Sequence, residues 1–245
     1  MKARKIGIIS DIHGNDLAFK EVLKRLNGNV DEIICLGDLI GIGPNGNEVL
    51  NIASSLKNFR TVLGNHERYY LYGFNNPLSC TNKDHQTWIK NSIDDKHYEF
   101  IKNIPVEIEI LHNDKKILFL HYSRRNFEAL NLEYIEKDVC YEKINDLFKK
   151  YNADIIFYGH EHIASILEGD RIFINPGSLG CPHPNKDMAR YGILELNEEI
   201  KYTQFEFKYD SVCVVRDMYE KNMPNKDFIS SNFYKIKMDE FDIWD

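Results

Sequence analysis

Residues 6–13 read Ile6-Gly7-Ile8-Ile9-Ser10-Asp11-Ile12-His13, and residues 33–38 read Ile33-Ile34-Cys35-Leu36-Gly37-Asp38. Each is an apolar, β-branched run of the length of a buried strand that ends abruptly in carboxylate or imidazole chemistry. Between them, Asn15 is a predicted cap for a helix reaching Leu26, with Ala18, Phe19, Val22, Leu23 and Leu26 as an apolar stripe at helical spacing. Strand, helix and strand in this order predict a βαβ crossover and therefore a parallel sheet.

Working outward, the motif recurs. Apolar runs at 61–63, 117–120 and 155–158 precede Gly64-Asn65-His66-Glu67, His121 and Gly159-His160-Glu161-His162. A loop of turn formers, Gly41-Ile42-Gly43-Pro44-Asn45-Gly46, leads to a predicted helix near 47–56. In an open α/β sheet, side chains at the carboxyl ends of strands converge on one crevice however far apart they lie in sequence.

The second half changes character. Residues 106–111 and 116–121 flank His112-Asn113-Asp114-Lys115 as a predicted hairpin, and two more hairpins are predicted over 164–174 and 191–207. Antiparallel pairs of this kind suit a second sheet packed on the first. Residues 68–103 show no clean period apart from a predicted helix around 84–93, and are read as an insertion near the site. Residues 210–245 are read as a C-terminal extension with a short helical pattern and an acidic, aromatic tail.

Composition narrows the class. At 245 residues, 43% hydrophobic and 12% aromatic, the chain supports a single domain over 1–245 with a substantial core. No run approaches the roughly 20 apolar residues of a membrane span. The apolar run behind the basic N-terminal residues ends at Asp11, too short for a signal peptide, so a cytoplasmic protein with no membrane partner is expected. The five cysteines, Cys35, Cys80, Cys140, Cys181 and Cys213, form no CxxC pair and are odd in number, and are read as reduced thiols rather than ligands. A formal charge of −7 disfavours binding to long nucleic acid but not to a small phosphorylated substrate, because bound divalent ions dominate the local field. Homo-oligomerisation is left open.

The ordered polar blocks read as a two-metal hydrolytic site. Mixed oxygen and nitrogen donors suit Mn²⁺, Fe, Zn²⁺, Ni²⁺ or Co²⁺ better than Ca²⁺ or Mg²⁺. A carboxylate from a second strand, Asp38, can bridge two ions, and two ions about 3.5–4 Å apart bind a shared hydroxide and clamp the attacking and leaving oxygens at phosphorus. Taken singly the blocks are ordinary: Gly37-Asp38 is turn chemistry, Gly64-Asn65-His66-Glu67 could be a turn and a helix cap with His66 solvated, and His121 could be a satisfied core histidine. Two histidines two apart at a strand end, His160 and His162, point to one face and are harder to dismiss.

In this order the blocks resemble the calcineurin-like metallophosphoesterase superfamily, with its D-x-H, G-D, G-N-H-D/E, later H and G-H-x-H motifs, over roughly residues 5–180. The resemblance implies a four-layer αββα sandwich in which two mixed β-sheets face each other between helices. It implies that Asp11, His13, Asp38 and His162 hold one metal and Asp38, Asn65, His121 and His160 a second, Mn²⁺ being favoured. It implies His66 as the catalytic residue, donating a proton to the leaving oxygen or stabilising the pentacoordinate phosphorus. Residues 37–45 and 174–182 further resemble the small stand-alone bacterial and archaeal phosphodiesterases of the superfamily, where the turn at 175–178 would buttress the site.

Three departures stand out. Gly41 and Ile42 occupy the places of an orienting Asp and a phosphate-binding Arg in Ser/Thr protein phosphatases, which argues against that activity and leaves His66 without an assigned partner. Tyr122 replaces the usual Gly after the fourth-motif His and is expected to reshape the pocket. Glu67 replaces the commoner Asp and is given no weight. Arg124, Arg125 and Arg190, with Arg68, are candidates for gripping phosphate oxygens, Arg124 or Arg125 before the others. His183 is a candidate rim residue, and Tyr69, Tyr70 and Tyr72 could stack on a base.

The leading expectation is a metal-dependent phosphodiesterase acting on a small phosphodiester, a nucleotide among the candidates. The alternative is a nucleotide phosphomonoesterase or dinucleoside polyphosphate hydrolase. A non-catalytic interaction module of the same fold ranks last, since every ligand and His66 are present.

Overall fold

The structure, a computed structural model, describes residues 4–73, 83–125, 132–133, 139–181 and 187–237. The expected turn at 75–77, Cys80, the rim candidate His183 and the last eight residues of the tail lie outside the described residues.

Among the described residues, ten strands form two five-stranded sheets. The strands are β1 (Arg4–Ile9), β2 (Glu32–Cys35), β3 (Phe59–Thr61), β4 (Glu107–His112), β5 (Lys115–Leu120), β6 (Ile155–Phe157), β7 (Ser165–Glu168), β8 (Ile172–Asn175), β9 (Met188–Leu196) and β10 (Ile200–Lys208). The first sheet runs β10-β9-β1-β2-β3 and the second β4-β5-β6-β8-β7. In each a parallel trio, β1-β2-β3 or β5-β6-β8, points its carboxyl ends the same way. The helices are α1 (Asp16–Leu26), α2 (Gly46–Ser55), α3 (Asn65–Tyr72), α4 (Lys83–Ser92), α5 (Tyr98–Lys102), α6 (Tyr141–Leu147), α7 (Ser211–Glu220) and α8 (Lys226–Ile229).

Period-two alternation sorts each strand between two cores. From β1, β2, β5 and β6, the side chains of Ile6, Ile8, Ile34, Ile117, Phe119, Ile155 and Phe157 meet between the sheets. The alternate residues Leu118, Leu120, Ile156 and Tyr158 turn outward onto Ile144 of α6 and Phe148. The outer face of the first sheet takes Ala18, Phe19 and Val22 of α1, Val49 and Leu50 of α2, and Val214, Val215 and Met218 of α7. These are the four layers, helices outside and two mixed sheets within. No helix among the described residues is long and apolar enough to cross a membrane.

Two expectations need correction. The third strand is β3 at Phe59–Thr61 rather than 61–63: Val62 still donates to the Cys35 carbonyl, but Leu63 already donates to Pro105. Apolar character marks burial there, not ladder pairing. The third hairpin, β9–β10, joins the first sheet through antiparallel pairing of β9 with β1, not the second. Alternation reports which face is buried and is silent on the neighbour across the ladder.

Residues 211–237 pack on the first sheet's outer helical layer through Val214, Met218, Met223, Ile229, Tyr234 and Ile236. Residues 65–72 form α3, in which Asn65, His66, Glu67, Tyr69 and Tyr70 are buried.

Between the sheets, Phe157 is fully buried, stacks on Phe119 at 5.0 Å and meets Tyr202 edge-on at 5.4 Å. Phe157→Ala is expected to cost about 3–5 kcal/mol of unfolding free energy. Urea denaturation with an unchanged slope is the measurement.

Candidate metal centre

The loops leaving β1, β2, β5 and β6, with the first turn of α3, bring the seven ligand candidates to one crevice. His13 Nε2 lies 2.9 Å from His162 Nε2 and 3.8 Å from both Asp11 Oδ1 and Asp38 Oδ2. His162 Nε2 is 3.5 Å from Asp11 Oδ1. On the other side of Asp38, His121 Nε2 is 3.2 Å from Asp38 Oδ2 and 3.0 Å from Asn65 Oδ1. His160 joins Asp38 and His121 in a second cluster of metal-ligand type, its ring 5.1 Å from that of His121. Asp38 is common to both clusters, and all seven are buried except His160 and His162, which are partly so.

The backbone works hard for this. Asp11, His13, Asp38, His160 and His162, five of the seven, have positive φ between 50° and 71°. The left-handed region is sparsely populated by residues with a Cβ and costs of order 1–3 kcal/mol each, so it persists only where surroundings enforce it. Here they do. Asp11 and His13 donate to the carbonyls of Gly37 and Asp38, and Leu179 and Gly180 donate to Ser10 and Asp11. Ser178 Oγ donates to the Asp11 carbonyl, Asn175 Nδ2 to Gly159, and Ser10 Oγ to the Asp11 carboxylate. The turn at 175–178 thus braces the site from behind.

The electrostatics call for a cation. His121 Nδ1 donates to the Leu36 carbonyl at 2.7 Å, so Nε2, which faces oxygens of Asp38 and Asn65, needs either a second proton or a metal ion there. Only a proton or a metal ion between them makes that arrangement attractive. Burial alone would lower His121, but the Asp38 carboxylate outweighs it and pushes the ring up to about 9. Burial likewise works to raise Asp38 and Asp11, and the facing imidazoles win. Asp38 is held well below the usual carboxylate range and Asp11 at about 2. Burial keeps His13 well down and His160 at about 3, so both offer neutral nitrogens. Neutral imidazoles, ionised carboxylates and an amide oxygen around a shared Asp are a donor set that fits two divalent ions.

One working residue was passed over in the sequence. Glu67, fully buried, accepts from the backbone N–H groups of Asp38 and Gly64 at 3.0 Å and of Ile40 at 3.1 Å, tying the β2 loop to the start of α3. Burial, then the nearby Asp38 charge, raise it to about 7. Its position three residues into a helix that starts beside Asp38 was the available signal. A Cβ on Gly64 would meet Asp38 Oδ1 at 2.1 Å, so only glycine lets this helix approach so closely.

His66 stands over the crevice. Its backbone N–H donates to Asp38 Oδ1 at 2.9 Å, and its ring packs edge-on against His13 at 5.0 Å and Tyr69 at 5.5 Å. No carboxylate orients it: its Nδ1 is buried with no hydrogen-bond partner among the described residues, and a Cβ on Gly41 would lie 2.2 Å from that atom.

The arginines separate. Arg124 lines a small cavity with Asn65, Arg68, His121 and Tyr122, and its guanidinium pairs with Glu107 at 3.0 Å. Arg190 pairs with Glu206 at 3.6 Å across β9 and β10, away from that cavity. Arg125 is exposed. Tyr122 is buried, donates to Glu161 at 2.7 Å and packs on Phe148, so most of its bulk fills the layer behind the ligands. Tyr70 pairs with Tyr98, and Tyr72 is exposed. Cys181, read as an inert thiol, has its sulfur clustered with the ligand nitrogens of His13 and His162.

Comparison with known proteins agrees with this geometry. The sequence model of the calcineurin-like phosphoesterase superfamily domain matches residues 5–199. Over 241 residues the chain is 31% identical to an uncharacterized protein of Methanocaldococcus jannaschii, covering 90% of this chain and 93% of that one. A metallophosphoesterase from Sphaerobacter thermophilus superposes with a TM-score of 0.74 at 23% identity, covering 96% of this chain and all of that one. A hypothetical protein from Pyrococcus horikoshii OT3 does so at 0.71 and 16%, covering 95% and 99%. At these identities the two structures speak to the fold alone.

Two outcomes are expected from this geometry. Glu67→Gln turns an amide NH₂ toward at least one of three backbone N–H groups, and should cost about 1–3 kcal/mol in ion-free protein. It should also weaken divalent-ion binding about 10–100-fold, read by denaturation and calorimetric titration. The second concerns pH. His121 holds its proton in the folded ion-free chain up to about 9 but releases it near 6.5 when unfolded, so the folded state binds more protons in that window. Chelator-stripped protein should therefore lose stability as pH rises from 6.5 to 9, and His121→Asn should flatten that slope.

Proposed function

The chain belongs to the calcineurin-like phosphoesterase superfamily, and on that premise we propose that it is a metal-dependent phosphodiesterase. Its substrate is a small organic phosphodiester, with a nucleotide among the candidates. The observation that supports this reading is the convergence of Asp11, His13, Asp38, Asn65, His121, His160 and His162 on one crevice, with Asp38 facing both His13 and His121.

Asp11, His13, Asp38 and His162 would hold one divalent ion, and Asp38, Asn65, His121 and His160 a second. The donor mix suits Mn²⁺ first, with Fe, Co, Ni or Zn also accommodated. Bound there, such ions supply Lewis-acid charge that attracts phosphate and acidifies water. The remaining chemistry belongs to the chain. Burial lowers the His66 pKa more than Asp38 restores it, so the ring is neutral at pH 7 and offers one N–H to oxygen as negative charge develops on the leaving group. His66 is the proton donor in this scheme, and the wall formed by His13, Tyr69 and Gly41 holds it in place.

Charge bookkeeping at the rim favours a diester. A diester brings one negative charge, and the guanidinium group of Arg124, the residue that lines the cavity beside Asn65 and His121, is already paired with Glu107. One observation favours the alternative, a nucleotide phosphomonoesterase or dinucleoside polyphosphate hydrolase. Arg68 lines the cavity beside Asn65 and His121, and its Nε is buried without a hydrogen-bond partner among the described residues, a cation suited to a further phosphate. A purely structural module has less support, since it needs none of these seven donors converged.

Protein stripped by chelator and reloaded with Mn²⁺ is expected to cleave bis-p-nitrophenyl phosphate faster than p-nitrophenyl phosphate. Preference for the monoester moves the alternative ahead. Inactivity on both with Mn²⁺, Ni²⁺, Co²⁺ and Zn²⁺ removes the enzyme reading. His66→Ala should keep its ions and lose on the order of 10²–10⁴ in turnover on an alkyl or nucleoside diester. It should lose less on the nitrophenyl ester, whose leaving group needs little protonation.

A further inference from the structure

The cluster formed by His13, His162 and Cys181 adds a donor that the oxygen and nitrogen set does not contain. The ligand atoms of these three side chains lie within 4.8 Å of one another, and Cys181 is completely buried. Two ligands of one ion at bond lengths of about 2.1 and 2.3 Å are separated by roughly 3.6 Å at a tetrahedral angle and about 4.4 Å at most, so the sulfur and the imidazoles would draw together around an ion bound between them. Its backbone is fixed by the same brace that holds Asp11. Cys181 N–H donates to Ser178 Oγ at 2.8 Å, Ser178 Oγ donates to the Asp11 carbonyl at 2.9 Å, and the preceding Gly180 N–H donates to that carbonyl at 2.9 Å. Asn15 Nδ2 holds the Gly180 carbonyl at 3.1 Å. The sulfur is therefore delivered to the His13–His162 side of the centre by a turn with little freedom to move away.

We propose that Cys181 is a thiolate ligand of the ion held by Asp11, His13, Asp38 and His162, making that half of the centre selective for a thiophilic divalent ion such as Zn²⁺, Co²⁺ or Fe²⁺. The inference rests on the metal-centre reading above. Ligation breaks the S–H bond, forms a sulfur–metal bond and releases one proton to solvent, with no change of oxidation state. The two halves then differ in softness. The Asn65–His121–His160 half keeps only oxygen and nitrogen donors and tolerates a harder ion such as Mn²⁺.

X-ray absorption on the full chain loaded with one equivalent of Zn²⁺ tests this without any reaction. A sulfur shell at about 2.3 Å in the wild-type protein, absent from Cys181→Ala, is the expected result. The Zn²⁺-over-Mn²⁺ affinity ratio should fall on the order of tenfold or more in Cys181→Ser, the scale on which changes around a metal alter its binding. Bound zinc with nitrogen and oxygen neighbours only, or a sulfur shell that survives in Cys181→Ala, overturns the proposal while leaving the metal centre standing. Zinc that does not bind at all overturns both. Since a buried cysteine variant can fail to fold, the wild-type spectrum serves as the first arm, and a sulfur-to-metal charge-transfer band in Co²⁺-loaded wild-type protein as the second.

Discussion

The Asp38 carboxylate meets His121 at 3.2 Å where the carboxyl end of β2 faces that of β5, and this one contact locks the two sheets together at the site. It is doubled by His121 Nδ1 donating back to Leu36, the last residue of the apolar run that follows β2. Both groups are cut off from water, so neither can lose its partner without leaving an uncompensated buried charge. A second carboxylate, Glu67, sits behind Asp38 and receives the N–H of the same residue. Two carboxylates so close repel, and the strain appears as opposite displacements: Asp38 held low by imidazoles, Glu67 pushed up to about 7. Positive charge entering the crevice relieves both at once, which ties ion binding to the cohesion of the sandwich.

The same logic explains why the ligands carry strained backbone. Residues two apart on an extended strand already share a face. The left-handed residues at the ends of the ladders, Asp11 and His13, Asp38, and His160 and His162, instead turn the chain there, so that loops from different strands close over one crevice. The cost is carried by hydrogen bonds between loops that belong to different strands, such as His13 to Asp38 and Gly14 to Leu39. Those bonds exist because β1 and β2 are parallel neighbours in register, with Ile9 opposite Cys35. The sheet is what makes the strain affordable.

Most of this was readable in the sequence for a physical reason. Buried parallel strands are short unbroken apolar runs, and the runs ending at Ile9, Leu36 and Leu120 announce both the strand and its terminus. The ligand motifs then sit where any open α/β sheet collects function. What escaped was non-local. Nothing in residues 188–208 tells that β9 pairs with β1, because alternation encodes faces and not partners. The helix α3 escaped because its first turn, Asn65, His66 and Glu67, is polar yet buried, and with Tyr69 and Tyr70 it presents no clean apolar stripe at helical spacing. Glu67 escaped for a related reason: its place in the first turn signals at most a cap on Gly64, while the Asp38 and Ile40 N–H groups it also holds have no sequence signature. Cys181 lies 168 residues from His13 along the chain, and a thiol without a neighbouring thiol reads as inert until the fold brings imidazoles to it.

His66 shows how a missing group can be as informative as one that is present. Where an acidic residue at position 41 would grip the imidazole by charge, it would also raise the ring's proton affinity and favour the imidazolium. Gly41 has φ +104°, a conformation that side chains rarely adopt, and its bare Cα gives the ring the space a Cβ would fill. His66 is thus oriented by shape, against His13, Tyr69 and the Gly41 backbone, and burial is free to keep it neutral. On the proposed reading, a neutral donor would add no charge to a crevice holding divalent ions, would neither repel them nor compete with them for phosphate, and would give up its hydrogen bond to oxygen that is becoming negative. An imidazolium in the same place would bind the ground-state anion as readily as the transition state, and interactions that do not distinguish the two do not raise turnover.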